Sequence, residues 1–208
     1  MEAGAKESPL ETVQPAGCGK SARARSSAED DLALAARIRR RDLKAFESLY
    51  RSYQPRLARF LMNILRRPQL VEEVLDDTLM VLWDRPDSFS GRSKLSTWLF
   101  SIAWRKAMKA LRKQDDPIED FCEETRISGD RSPEQSAGDE RARQALLDAL
   151  ASLSPEQRAV VDLTYFHEIG YREIAQIMDC PVDTVKTRMF HARRHLRREL
   201  AGEFSDWV

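Results

Sequence analysis

"DCPVDTVKTRMFHARRHLRREL", residues 179–200, decides how this chain is read. The helix before it carries Ile174, Ala175, Ile177 and Met178, and a short turn follows. Cys180 stands where a helix cap is expected, Pro181 suits a first helical position, and Asp183 lies three residues beyond the cap. Val185, Met189, Ala192 and Leu196 then recur at three- and four-residue spacing, which predicts a helix with one buried stripe. Thr184, Lys186, Thr187, Arg188 and His191 are left facing outward near its start. Two short helices, a tight turn and a polar, basic second helix describe a helix-turn-helix. In that motif the start of the second helix enters the major groove, where Arg and Lys pair with guanine edges. Arg193, Arg194, Arg197 and Arg198 come later and suit phosphates or solvent. A basic amphipathic helix alone is equally compatible with a plain solvated face, so support must come from elsewhere.

Working outward, the rest of the chain is also helical in pattern. Among its 208 residues, 33 % are charged and 42 % hydrophobic, with only 8 Gly and 9 Pro. Phe46, Leu49, Tyr50, Tyr53, Leu57, Phe60, Leu61 and Ile64 follow helical spacing, and Pro55 inside the pattern could kink or divide it. A second helix is expected from after Pro68 to about Trp83, and a third from about Thr97 to Lys113 with Ser96 as its cap. Between them "RPDSFSGRSKLS", residues 85–96, reads as a loop. Residues 115–140 break the periodicity with prolines, glycines and acid, and helices resume at about Arg141. "LSPEQ", residues 153–157, is a helix start with Ser154 and Gln157 as a capping box.

No strand-period segment of useful length appears. The expected fold is therefore all-α: two small helical domains joined by a flexible acidic linker, the C-terminal one a helix-turn-helix. Its divisions are a disordered tail over 1–30, a first domain over 31–114, a linker over 115–140, a second domain over 141–200 and a short tail over 201–208.

A net charge of zero hides segregation: residues 31–114 carry +9 and residues 115–140 carry −8. The basic block suits phosphate backbones. Arg105, Lys106, Lys109, Arg112 and Lys113 share one arc of the third helix, beside an apolar stripe that includes Trp104. Basic charge with aromatics behind a Ser/Gly loop suits opened nucleic acid. The second helix has the opposite character. Glu72, Glu73, Asp76 and Asp77 occupy one arc, with Met80 and Trp83 in or beside it, a face suited to a basic protein surface. Trp83 and Trp104 are each equally compatible with a place in the core.

Several chemistries fall away. "GCGKS" has Gln14 where a phosphate loop needs its first Gly, and no strand precedes it. His191 and His195 stand four apart with no further ligand set, so no metal is expected. Cys18, Cys122 and Cys180 are scattered, which points to a reducing compartment, the cytoplasm. No paired carboxylates or nucleophile motif point to an enzyme, a cofactor or a small-molecule substrate.

Four stretches, taken in order, carry a resemblance: "DLKAFESLYRSYQPRLARFL" (42–61), "VEEVLDDTLMVLWDRPDSF" (71–89), "KLSTWLFSIAWRKAMKALRK" (94–113) and residues 150–200. The chain resembles the extracytoplasmic-function sigma factors, the small two-domain specificity subunits of bacterial RNA polymerase. The resemblance implies that the first domain is sigma region 2 and the second sigma region 4. It implies core polymerase docking through Glu72, Asp76, Asp77, Met80 and Trp83. It implies minus-ten capture and melting through Ser90, Arg92, Lys94, Trp104, Arg105, Lys106, Lys109 and Arg112, with Arg105 standing where many members carry Asn. Minus-thirty-five reading falls to Thr184, Lys186, Thr187, Arg188, His191 and Arg194. Core RNA polymerase, promoter DNA and an anti-sigma factor, which can be membrane-anchored, are the implied partners, in a stress or envelope response. A stand-alone helix-turn-helix regulator, using only the last domain, is the alternative. An interaction adaptor whose basic faces are merely solvated is a third.

Overall fold

The computed structural model describes residues 19–114 and 137–201, with side chains over 29–113 and 143–201. Among the described residues there are eight α-helices, one 3-10 turn and no strand, so the all-α class holds. The readings made of residues 1–18, of 115–136 and of the tail from 202 onward lie outside the described residues.

The first helix, α1, runs Gly19–Arg39, so it begins well before the Asp31 boundary expected for the tail. Ala22, Ala24 and Ala28 are strong helix formers, and extending a helix already nucleated by a packed segment costs little. The second helix, α2, spans Leu43–Leu65 and is undivided, with Pro55 inside it. Asp42 caps it by accepting from the Ala45 N–H at 3.2 Å. Arg37 beside that carboxyl holds it below the usual carboxylate range. The third helix, α3, spans Pro68–Asp84, with Pro68 in the first turn where no N–H is needed.

The fourth helix, α4, spans Leu95–Gln114. Ser96 therefore sits inside the first turn and is not the cap expected of it. The Leu95 N–H is instead met by Asp31 of α1, 64 positions away, at 2.9 Å. Burial pushes the Asp31 carboxyl up, against the pull of that hydrogen bond. In the connection before α4, a 3-10 turn covers Pro86–Ser88 and Phe89 is buried.

The second group starts with α5, Ala137–Ala151, whose beginning falls inside the segment read as linker. The α6 helix, Pro155–Tyr165, opens on the expected capping box: Ser154 Oγ accepts from Gln157 N at 3.2 Å, and Ser154 N donates back to Gln157 Oε1 at 3.3 Å. Then come α7, Tyr171–Met178, and α8, Val182–Leu200. Asp179 ends α7 in the left-handed region, which turns the chain sharply into α8.

Both groups contribute to one contiguous buried core, from Leu49, Phe60 and Phe100 across to Leu163, Ile174 and Val185. Each such fully buried side chain contributes about 1.5–3 kcal/mol. The two groups therefore lie packed on one another.

Arg158 of α6 ties them together. Its guanidinium donates to the carbonyls of Leu150 (3.1 Å), Ala151 (2.8 Å) and Leu153 (2.8 Å), at and just after the end of α5, and to that of Asn63 in α2 (2.9 Å). Burial, and then the nearby Arg66, lower it to about 10, so it is charged at neutral pH.

Candidate nucleic-acid and polymerase interfaces

The helix-turn-helix is formed by α7, the turn Asp179–Pro181 and α8. Pro181 is the cap residue and Val182 the first helical one, so both Cys180 and Pro181 lie one place earlier than expected. The reason is geometric: the extended backbone of Pro181 (φ −58, ψ 148) cannot belong to the helix. Val185, Met189 and Ala192 are buried and Leu196 packs against them, as the spacing predicts.

That burial orients the other side chains of α8. Lys186, Thr187, His191 and Arg194 are exposed, and Thr184 and Arg188 are half-buried. Lys186 Nζ lies 2.9 Å from Asp183 Oδ1 and holds that carboxyl below the usual range. Thr187 Oγ1 donates to the Asp183 carbonyl. Arg188 Nη1 leans back to Cys180 Sγ at 3.5 Å, so it must swing outward to reach anything else. Phe190, 62 % exposed, lies edge-on to His191. It stands one residue past Met189 and off the buried stripe, a placement the apolar count alone concealed.

A second basic surface lies at the start and along one side of α4. Ser90 and Arg92 are exposed in the loop, and Arg105, Lys109 and Arg112 are exposed along the helix. Lys106 is half-buried and paired. Trp104 does not belong to this surface: it is only 6 % exposed and lies in the core. It sits at the edge of the apolar stripe, and packing of α4 against its neighbours carries that edge inward, so Trp104 cannot stack on a base. Trp98, half-buried, packs on Phe89 of the loop with ring centroids 5.4 Å apart. Gly91 in that loop has φ +72, and an added Cβ would come within 2.5 Å of Leu32 Cδ2.

Lys94 is already engaged. Its Nζ lies 2.6 Å from Glu173 Oε1 of α7, and the other carboxylate oxygen accepts from Thr97 Oγ1 at 3.2 Å.

The acidic surface lies on α3. Glu72, Glu73, Asp76 and Asp77 are exposed and Met80 is 39 % exposed among them. Asp76 accepts from the Tyr50 hydroxyl at 3.2 Å. Trp83 is half-buried instead of presented: it packs on Phe46 at 5.0 Å, and the Arg41 guanidinium lies 5.3 Å above its ring.

Among the described residues no cluster of His, Cys, Asp and Glu could hold a metal, and no helix is long and apolar enough to cross a membrane.

Residues 49–116 match the sigma-70 region 2 family and residues 143–196 match sigma-70, region 4. The chain is 32 % identical to an ECF RNA polymerase sigma-E factor of Escherichia coli (strain K12), over 78 % of this chain and 90 % of that one. It is 30 % identical to the ECF RNA polymerase sigma factor RpoE of Cereibacter sphaeroides, over 85 % of this chain and 98 % of that one. Among solved structures it is similar to the sigma factor RpoE of Bartonella quintana, seen in complex with the anti-sigma factor NepR. That match has a TM-score of 0.58 and 28 % identity, covering 76 % of this chain and 97 % of that one. The fold is also that of CnrH, with a TM-score of 0.62 and 23 % identity, covering 83 % of this chain and 97 % of that one.

Proposed function

The chain belongs to the ECF RNA polymerase sigma factors, and we propose from that premise how its three surfaces divide the work of promoter-specific initiation. The face of α3 bearing Glu72, Asp76, Asp77 and Met80 docks on core RNA polymerase, with Trp83 supporting the helix from beneath. Ser90, Arg92, Lys94, Arg105, Lys106, Lys109 and Arg112 take the minus-ten element and its opened strand. The start of α8, through Thr184, Lys186, Thr187, Arg188 and His191, reads the minus-thirty-five element, and Arg194 holds backbone. Residues 31–114 and 141–200 act as the two working domains.

One observation carries this reading over a stand-alone regulator: the acidic face around Met80 coexists with two basic faces in a single chain. A repressor gripping DNA by α8 alone has no use for an acidic, partly apolar helix face elsewhere. The related Bartonella quintana protein is held by an anti-sigma factor, and the same control is proposed here. The promoter and the polymerase place the work in the cytoplasm. Bond making belongs to the polymerase, so no catalytic group or cofactor is assigned to this chain.

The test is transcription from a random promoter library by purified core polymerase with and without this protein. Transcripts sharing two spaced elements only when the protein is present are the expected result. A library with no enriched promoter would overturn the reading.

A further inference from the structure

Glu173 stands on the supporting helix of the helix-turn-helix, yet its carboxylate is bound by the other half of the molecule. One oxygen meets Lys94 Nζ at 2.6 Å and the other meets Thr97 Oγ1 at 3.2 Å, Thr97 being 3 % exposed. A lysine and a hydroxyl at the start of α4 dividing two anionic oxygens is also how a DNA phosphate would be held. A second fastening lies along the same interface. Asn63 of α2 donates to the buried Asp162 of α6. The His167 ring packs on Phe100 at 4.7 Å and Phe60 at 6.3 Å. Its Nε2 is 3.2 Å from Asp162 Oδ2, in contact but not aligned as a hydrogen bond.

We propose that Glu173 is an internal competitor for DNA: in the free chain it fills the Lys94–Thr97 pair and helps hold the two halves closed. It must leave before the start of α4 can take a phosphate. This rests on the proposed role of Lys94 at the minus-ten element. The competitor is set to be displaced easily. Lys94 and Glu173 are both partly exposed, and such a pair shifts an equilibrium by about two- to fivefold at most. Closure by this contact is therefore a brake that polymerase and promoter can release.

The experiment measures binding of a labelled single-stranded oligonucleotide to the full chain without polymerase, with the scattering radius recorded alongside. Glu173→Ala and Glu173→Gln are compared with Glu168→Gln, which removes the same charge from an exposed position on the α6–α7 connection. Helical circular dichroism confirms that each variant is folded. The Glu173 variants should bind about two- to fivefold tighter than wild type and have a larger radius, while Glu168→Gln changes both less. Equal gains in affinity from Glu168→Gln and the Glu173 variants, or no gain from either, would overturn the proposal. Promoter-library transcription with wild type separates the two readings. Active wild type with unchanged Glu173 variants removes the competitor alone. Inactive wild type with tighter-binding variants removes the proposed division of work among the three surfaces alone.

Discussion

Asp77 of α3 and Lys106 of α4 meet across the helix pair, with Oδ2 and Nζ 2.7 Å apart. The acidic surface and the basic surface of the first helical group therefore share a border, and one substitution there touches both. Asp77→Arg removes the acid, repels Lys106 and should weaken core polymerase binding about tenfold, which is about 1.4 kcal/mol. Met80→Ala, at a partly exposed position, should weaken it a few-fold without loss of folding. Lys106→Ala frees the Asp77 carboxylate, and should change docking less than Asp77→Arg does while slowing promoter opening. Titration of core polymerase with labelled protein reads the first two, and equal affinity for wild type and both variants would remove α3 as the docking face. Trp83→Ala is a poorer probe, because it also strips the packing on Phe46.

The loop before α4 offers a different test. Gly91 has φ +72, a backbone region that costs an L-residue about 1–2 kcal/mol, and Leu32 fills the space a side chain would need. Gly91→Ala should lower stability by about 1–3 kcal/mol and displace the Ser90–Arg92 segment. Leu32→Ala in the same chain should recover part of the loss by opening that space. Denaturation midpoints of the two single variants and the double variant decide it: additive losses would mean that the two residues do not clash.

Much of the fold was legible because apolar spacing reports which face of a helix is buried. Leu49, Leu57, Phe60, Leu61 and Ile64 lie on the core side of α2, as their spacing predicts. The Ser154–Gln157 box was legible because its partners are three residues apart. What escaped depends on partners far away in sequence. Asp31 replaces Ser96 at the start of α4 from 64 positions away, and no local pattern announces it. Trp104 lay on the boundary between two arcs, where only the packing of neighbouring helices decides the side. The pairing of Lys94 with Glu173 spans the segment read as a free linker, and charge totals cannot show which lysine meets which acid.

Arg158 illustrates the same point, since arginine in sequence suggests surface. Its guanidinium satisfies four carbonyl oxygens, one from α2 and three from the end of α5 and the turn after it. Arg158→Ala would take the guanidinium from all four carbonyls, leaving Leu150 with only the Leu153 N–H at 3.4 Å and Ala151 with only Arg66 Nη1 at 3.5 Å, and should cost about 2–4 kcal/mol. Arg158→Lys should recover only part of this, because one ammonium cannot reproduce the planar fork. Urea unfolding of the full chain measures both. A loss below about 1 kcal/mol for Arg158→Ala would show that water replaces the guanidinium freely.

Tyr53 gives a pH dependence. Burial first, and Asp31 second, push its hydroxyl up to about 12, with Arg56 opposing them. The unfolded chain releases that proton near the ordinary value of about 10. A group raised in the folded state contributes stability that is whole below the unfolded value and is lost as pH rises through the folded one. Tyr53 should thus remove up to about 2 kcal/mol between about pH 10 and 12, reduced by its partial contact with solvent. Tyr53→Phe has no proton to lose. The gap in unfolding free energy between wild type and Tyr53→Phe should shift in favour of the variant across that window. A gap that stays constant from neutral pH to the top of the window would mean that Tyr53 ionises as freely folded as unfolded.

The start of α8 carries the last prediction. Arg188 leans back on Cys180 in the free chain, and a rotation of its side chain would bring it beyond Thr184 toward a base edge. A bidentate pair with guanine is worth about 1–3 kcal/mol of discrimination. Arg188→Ala should therefore lower promoter activity and relax preference at one base pair of the upstream element. Arg197, exposed in the last turn of the helix, is placed where α8 leaves the groove. Arg197→Ala should weaken binding about equally for all sequences and flatten the salt slope by roughly one unit. The measurement is a base-by-base scan of the upstream element against wild type and both variants in the holoenzyme. A uniform loss at every base for Arg188→Ala would assign this arginine to the backbone and move the reading face toward Lys186, Thr187 and His191.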